Sequence, residues 1–488
     1  MVIESLKYKI LQQFGFAPTQ EQGQALDTFV SFLTDRDPQS VMILRGSAGT
    51  GKTSLSGAIV RTLLQIRQKV MLLAPTGRAA KVFSLGSGAP AYTIHRRIYR
   101  EKAFAGVDGQ FSLNDNLYTD TLFMVDEASM IANMGLGGTT FGSGCLLDDL
   151  VKFVYQGHND RLLLIGDKAQ LPPVGEEESP ALSASVMEEY GLKVYECDLN
   201  EVLRQSQSSG ILYNATLIRQ MITHDAVTGL PLIRFKGFAD IVMMPGAELV
   251  ESLGDSYHHV GMDETMVITR SNKRANIYNN GIRNMVLDRE EELSSGDMLM
   301  IVKNNYFWTE KEKKESGEGS AGAVPVFLAN GDRAKVLRVS NYIELYGFRF
   351  ATLLLQLPDY DDYEMQVTGM LDTLQSEAPA LTHEQQEELF RQVEEDYQHF
   401  VPLKADRMKS IRQDAYFNAL QIKYAYAVTC HKAQGGQWAH VYVDQGYMTD
   451  DMLTPDYIHW LYTAFTRATD KLFLVNWPKE QTCEPTDL

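Results

Sequence analysis

Lys52 and Thr53 close a glycine-rich run, GSAGTGKT (Gly46 to Thr53). The apolar stretch Val41-Met42-Ile43-Leu44-Arg45 precedes it, and apolar residues at Leu55, Ile59, Leu63 and Ile66 follow at helical spacing. A strand, a glycine-rich turn and a helix in that order are what a phosphate-binding loop requires. Small residues let backbone N–H groups curl round a phosphate, and the helix N-terminus adds the positive end of its dipole. Gly46, Ala48, Gly49, Thr50, Gly51, Lys52, Thr53 and Ser54 would then surround the phosphates of a nucleoside triphosphate. Lys52 would reach the β- and γ-phosphates, and the Thr53 hydroxyl would take a Mg²⁺ position. The alternative is a glycine-rich turn that merely fits the pattern, and the flanking strand and helix weigh against it.

Two further polar clusters end apolar runs downstream. Asp126-Glu127 follows Thr121 to Val125 (TLFMV), which suits Asp126 to hold a hydrated Mg²⁺ and Glu127 to orient and deprotonate an attacking water. Read alone, the pair is a common helix cap. GDKAQLPPVG (Gly166 to Gly175) follows Arg161 to Ile165, and Gln170 within it could sense a γ-phosphate.

The elements that must position these residues are short apolar strands, each closed by polar residues and separated by helical stretches. This is the grammar of a parallel α/β sheet, whose ligands bind at the carboxyl ends of the strands. Val70 to Ala74 is one more such strand, and residues 18–36 read as an amphipathic helix with Ala25, Phe29, Phe32 and Leu33 on one face. The pattern resumes at Thr265 to Thr269, His440 to Val443 and Lys471 to Val475, predicting a second α/β core. Between its parts, residues 297–306, 326–339 and 348–357 are β-rich with an Asn330-Gly331 turn, which predicts a small barrel. Lys311 to Gly322 reads as a flexible loop, and the acidic 359–399 stretch as helical with a Thr382 cap and Gln385 three residues on.

Net charge is −18, but Asp359 to His399 holds twelve acidic residues against one basic, Arg391. Local basic stripes decide nucleic-acid binding, so the total neither supports nor excludes it. No apolar run approaches the roughly 18 residues that cross a bilayer. Cys145, Cys197, Cys430 and Cys483 are far apart in the sequence, which argues against a zinc site or disulfide framework and suits a cytoplasmic setting.

In order and approximate spacing, the chain resembles the superfamily 1B helicases of the RecD and Dda type. PTQEQ with Ala25 resembles the adenine-reading motif, placing Gln22 against the base. GSAGTGKT, APTGRAAKV, TIHRRIY, DEAS and GDKAQLPPVG follow in the family's order, and then LNEVLRQ, ITRSNKRANIYN, TCHKAQGGQW and LYTAFTRATDKL. The resemblance implies ATP hydrolysis, with Arg204 and Arg467 as two arginine fingers on the second core that complete the site when the cores close. It also implies a single-stranded DNA track through Thr76, Arg78, His95, Thr269, Asn272, Thr429 and His431, which would grip phosphates without reading bases. For any one of these, a buried His or a capping Thr is the commoner explanation. Direction 5′→3′ is implied by the family alone. The segment from Ile98 to Thr121 resembles a β-hairpin pin with Phe104 or Phe111 at its end; a plain surface hairpin is the alternative.

The organisation so expected is α/β with two RecA-like parallel-sheet cores. The first spans 1–197 with a hairpin at about 98–121; the second spans 198–290 and 416–488. An SH3-like barrel with the acidic helical segment 359–399 is inserted at 291–415. That segment fits no family pattern and would be a partner-docking arm, a brace over DNA or a solvated insertion. The expected protein is a monomer acting on single-stranded DNA and DNA junctions, without a membrane. Rival readings are the motor subunit of a nuclease complex, an ATP-gated protein-remodelling switch, and an RNA-directed motor, since backbone gripping need not exclude a 2′-OH.

Overall fold

In the computed structural model, six strands form one parallel sheet in the order Ala91–Thr93, Lys69–Ala74, Thr121–Val125, Arg161–Gly166, Ser40–Gly46, Lys193–Leu199. The structure describes all residues except 1, 106–107, 136–141, 202–207, 224–228, 317–324, 326, 402, 450–451 and 484–488. Alternate residues of the central strands feed two separate cores. Met42, Leu44, Leu72, Leu122, Met124, Leu163 and Ile165 face one layer of helices, built from Val2–Phe14, Gln20–Thr34, Lys52–Gln65 and Gly77–Ser87. Val41, Ile43, Leu73, Phe123, Val125, Leu162 and Leu164 face the other, which includes Leu146–Gln156. Burial on both faces is why these strands read as unbroken apolar runs.

Contacts divide the chain into two units: Met1–Lys102 with Gln110–Pro245 and Ala433–Leu488, and Ala103–Gly109 with Gly246–Lys432. The first unit also holds the parallel set Trp438–Asp444, Ala468–Val475 and Ile241–Met244. The second holds the parallel pair Thr265–Thr269 and Ala427–Thr429, and a closed barrel. The fold is thus mixed α/β, with parallel-sheet cores and a five-stranded barrel.

The barrel runs Met298–Ile301, Arg333–Leu345, Phe348–Leu357, Tyr363–Met370, Leu420–Tyr424 and closes on itself. Its tight turn is Tyr346-Gly347, with φ of 56° and 73°, the two positive values that a hairpin following the twist of its strands needs. The Asn330-Gly331 turn instead precedes the Arg333–Leu345 strand, with Gly331 N–H donating to the Ile301 carbonyl. Three expectations need correction here. Lys311 to Ser316 belongs to the helix Phe307–Ser316; the rest of that expected loop, 317–322, lies outside the described residues. The start of the acidic stretch is a barrel strand, Tyr363–Met370, whose alternate residues Met365 and Val367 are buried while its carboxylate-bearing face is open. The helix begins only at His383, with the expected Thr382–Gln385 capping box formed. Its Leu389 and Val393 share a buried cluster with Phe348 and Phe350 of the barrel and Ile411 of the helix Lys404–Arg412.

A buried ion network anchors the second unit. Asp297, with no exposed surface, accepts from Arg283 Nε at 3.0 Å, Arg289 at 2.5 Å, Tyr426 at 2.8 Å and the Ser294 amide at 2.7 Å. Asp297→Ala leaves two guanidinium groups without their shared carboxylate. We expect it to destabilise this unit by roughly 3–5 kcal/mol, read by chemical denaturation.

Candidate nucleotide-binding site

The phosphate loop leaves the Ser40–Gly46 strand at its carboxyl end and enters the Lys52–Gln65 helix. Gly49 and Gly51 have φ of 77° and 81°, the left-handed region where a side chain is strained. A Cβ on Gly46 would lie 2.9 Å from the Lys52 side chain and 3.0 Å from Leu199, so only glycine lets the loop fold back here. Lys52 Nζ donates to the Gly46 carbonyl and, at 3.0 Å, to the Ser47 carbonyl. Thr50 Oγ1 donates to the Ser47 carbonyl at 2.8 Å. Thr53 and Ser54 are exposed at the first turn of the helix. Gln22 is buried as the third residue of a capping box: its Oε1 accepts from the Thr19 amide at 3.0 Å and its Nε2 donates to the Thr50 carbonyl at 2.9 Å. As found, it ties the Gln20–Thr34 helix to the underside of the loop.

Asp126 and Glu127 follow the Thr121–Val125 strand at the same sheet edge. Glu127 has φ of 52°, a strained value for a non-glycine residue that is typical of functional turns. Its amide donates to Asp126 Oδ1 at 2.9 Å. Burial, helped by the Glu127 charge, pushes the Asp126 carboxyl up to about 7, against a smaller opposing pull from Lys52. A carboxylate so disfavoured is one that a cation would relieve. Among the described residues no cluster of three or more His, Cys, Asp or Glu could cage a metal. Mg²⁺ is ordinarily held by one or two protein oxygens with phosphates and waters. Thr53 and Asp126 fit this role.

The sign of the Asp126 effect is testable. Its folded value lies above the unfolded one, so the nucleotide-free fold loses stability as pH rises towards 7. Asp126→Asn should raise the melting temperature of nucleotide-free protein above pH 7, by roughly 2–4 °C for each kcal/mol released. The gain should shrink steadily as the pH is lowered to about 4, where the carboxyl is largely protonated in the folded state and close to half so in the unfolded one.

The loop after Arg161–Gly166 completes the edge. Asp167 accepts from the Ala169 amide at 3.0 Å, and Gln170 is 5% exposed with its Oε1 buried and lacking a hydrogen-bond partner among the described residues. Among the described residues the Ser129 hydroxyl is likewise buried without one. Buried acceptors of this kind normally find a partner.

Sequence reasoning missed how the Pro455–Phe465 helix grips this loop. Thr463 Oγ1 accepts from the Leu171 amide at 2.8 Å, Gln434 Nε2 donates to the Leu171 carbonyl at 2.7 Å, and His459 Nδ1 lies 2.9 Å from the Ala169 carbonyl. Tyr462 donates to Asp167 Oδ2 at 2.6 Å, and its hydroxyl accepts from the Ala48 amide of the phosphate loop at 3.0 Å. Arg219, on the Gly210–Thr223 helix, donates to the Ser47 hydroxyl. The segment LYTAFTRATDKL was a signal for Tyr462 and Thr463; no motif flagged Arg219.

Of the two carried-over arginines, Arg204 lies outside the described residues. Arg467 is buried directly after the Pro455–Phe465 helix and donates to the carbonyls of Thr463 and Gly436 and to the Thr466 hydroxyl, each at 3.1 Å.

The track residues fall at strand ends in both units. In the first unit, Thr76 caps the Gly77–Ser87 helix by accepting from the Ala79 amide at 3.2 Å. Arg78 donates to the Gln437 carbonyl at 2.5 Å and lies over the Trp438 ring. His95 is only half-buried by surface area, yet its ring is desolvated enough to push its pKa down to about 4, so it is neutral at physiological pH. In the second unit, Thr269 and Thr429 face each other at the carboxyl ends of their paired strands, Asn272 opens the next helix, and His431 is exposed just beyond Thr429. The 99–113 ribbon forms as expected, but Phe111 packs against the first core, while the Phe104 side chain and the 106–107 apex lie outside the described residues.

A glycine-shaped loop at a parallel-sheet edge, with lysine, an acidic pair and a glutamine around it, defines a P-loop nucleotide-binding protein. The AAA-domain family matches residues 17–229, and the UvrD-like helicase C-terminal domain matches residues 424–475. The ATP-dependent RecD2 DNA helicase of Deinococcus radiodurans is 30% identical over 32% of this chain and 18% of its own length. The ATP-dependent DNA helicase dda of Enterobacteria phage T4 is 25% identical over 53% of this chain and 55% of its own. The chain therefore spans about half or less of these two relatives. A solved Pif1 helicase from Bacteroides is similar at 14% identity and a TM-score of 0.46, over 96% of this chain and 95% of that one. Together the two family matches and the RecD2 and Dda relatives support a superfamily 1B helicase.

Proposed function

We propose that the chain is an ATP- and Mg²⁺-dependent DNA helicase that moves along single-stranded DNA in the 5′→3′ direction. The observation that carries this reading is the bonding of one C-terminal helix, Pro455–Phe465, to both the phosphate loop and the Gln170 loop. A motor needs that link: whatever fills the phosphate loop must be felt by a distant part of the chain.

Lys52 and the loop amides would hold the β- and γ-phosphates. Thr53 and Asp126 would hold Mg²⁺, which would supply positive charge to offset that of the phosphates. Glu127 would take a proton from the attacking water, and the Gln170 carbonyl, which has an acceptor to spare, would orient that water. Arg467 would reach the γ-phosphate by exchanging its carbonyl partners for phosphate oxygens, and Arg204 would be the second finger. Gln22 would read the adenine edge with the amide that now holds Thr50. The two RecA-like cores would span 1–197 and 198–290 with 416–488, the insertion between them an SH3-like barrel. Thr76, Arg78 and His95 on one, and Thr269, Asn272, Thr429 and His431 on the other, would contact strand phosphates. A neutral His95 contacts by hydrogen bonding and not by charge.

Unwinding of matched duplexes bearing a 5′ tail, a 3′ tail or no tail, in DNA and RNA versions, tests this. The expected result is ATP-dependent unwinding of the 5′-tailed DNA alone. Unwinding confined to 3′-tailed substrates would overturn the direction, and none on any substrate would favour an ATP-gated switch or a subunit needing partners.

A further inference from the structure

Resting on the nucleotide-binding reading, we propose that Arg219 is a further phosphate-binding residue, which leaves Ser47 to engage the terminal phosphate of the bound triphosphate.

Three observations converge on it. The first is placement. The Gly210–Thr223 helix is pinned at its start, where Asp240 accepts from the Gly210 amide at 2.7 Å and from the Ser209 hydroxyl at 2.5 Å. Further along, Asn214 Nδ2 donates to the Arg234 carbonyl at 2.9 Å and Asn214 Oδ1 accepts from the Arg234 amide at 2.9 Å. A helix held at both points delivers the Arg219 guanidinium to the mouth of the phosphate loop, where it donates to the Ser47 hydroxyl.

The second is the quality of that partner. A hydroxyl is neutral, and hydrogen bonds from a guanidinium to an anionic phosphate are roughly twice as strong, with a fork that matches two oxygens at once. A triphosphate entering the loop presents such oxygens beside Ser47.

The third is the state of its neighbours. Lys52 is the loop's own cation, held by the Gly46 and Ser47 carbonyls beside the hydroxyl that Arg219 reaches. Tyr462 stands close enough for the Arg219 charge to act on its phenol, and its hydroxyl already holds the Ala48 amide. Arg219 and Tyr462 therefore cover two successive loop residues, Ser47 and Ala48. Phosphate oxygens would replace both contacts together, so occupancy of the loop would be registered on two helices, Gly210–Thr223 and Pro455–Phe465.

The test compares affinities of the full chain for a fluorescent, non-hydrolysable ATP analogue and for fluorescent ADP, both with Mg²⁺. For Arg219→Ala we expect the ATP analogue to bind at least tenfold more weakly, with ADP affinity changed less than twofold, and Arg219→Lys to recover part of the loss. A thermal melt matching wild type shows that each variant is folded. Equal weakening for both nucleotides would mark Arg219 as a structural support of the loop and overturn the proposal, as would no change for either. Failure of the wild-type chain to bind either nucleotide would overturn the proposed function, and this proposal with it.

Discussion

Lys52→Ala is expected to abolish ATP hydrolysis, with kcat/KM falling by about 10³-fold or more and unwinding lost entirely. Removing a single preorganised donor at a charged transition state costs roughly 10²–10³-fold. Lys52 carries a full positive charge as well. Its ammonium is held by the Gly46 and Ser47 carbonyls, a geometry that keeps it inside the loop. Alanine removes the charge and leaves those carbonyls without their donor, so binding and turnover fall together. Steady-state hydrolysis with and without single-stranded DNA measures the effect. Turnover above a hundredth of wild type in the variant would remove Lys52 from its assigned role.

Glu127→Gln separates binding from chemistry. The amide keeps the size and shape of the carboxylate, so the left-handed backbone at this position and the Asp126 contact to its N–H are retained. What is lost is a base. General-base catalysis contributes typically 10²–10⁴-fold, and turnover should fall by about that range while affinity for the ATP analogue holds within a few fold. Loss of the Glu127 charge also removes one cause of the raised Asp126 pKa. Mg²⁺-dependent binding by Glu127→Gln should therefore persist to lower pH than in wild type, because the Asp126 carboxylate ionises more easily. Multiple-turnover hydrolysis at wild-type rate would exclude Glu127 as the base.

How much of this was legible in the sequence follows from where each residue sits. The central strands were readable because both faces are buried, which leaves unbroken apolar runs. Lys193–Leu199 was not, for it lies at the sheet edge, and KVYECDL is half open to solvent. It is nevertheless the strand that flanks the phosphate-loop strand, joined to it by Arg45 bonding Glu196 and Asp198, both at 2.7 Å. Tyr363–Met370 was hidden by the acidic residues just before it, Asp359, Asp361 and Asp362, which masked the alternation of buried Met365 and Val367 with open Glu364 and Gln366. The phosphate loop and the acidic pair were legible since their chemistry is local: consecutive residues do the work. The grip of the Pro455–Phe465 helix on the Gln170 loop is not local. Thr463 and Leu171 are far apart in sequence, and nothing in either segment names the other. Arg219 is the extreme case, a single arginine on an ordinary helix whose place beside the phosphate loop no sequence motif announces.

The central claim is that nucleotide chemistry in this loop is coupled to a nucleic-acid strand elsewhere on the chain. The most direct test is the steady-state rate of ATP hydrolysis by the wild-type protein, titrated with unstructured single-stranded DNA. A rise of at least tenfold that saturates with DNA, and weakens as salt is raised, is the predicted result. A rate indifferent to added strand at every salt concentration would contradict the account.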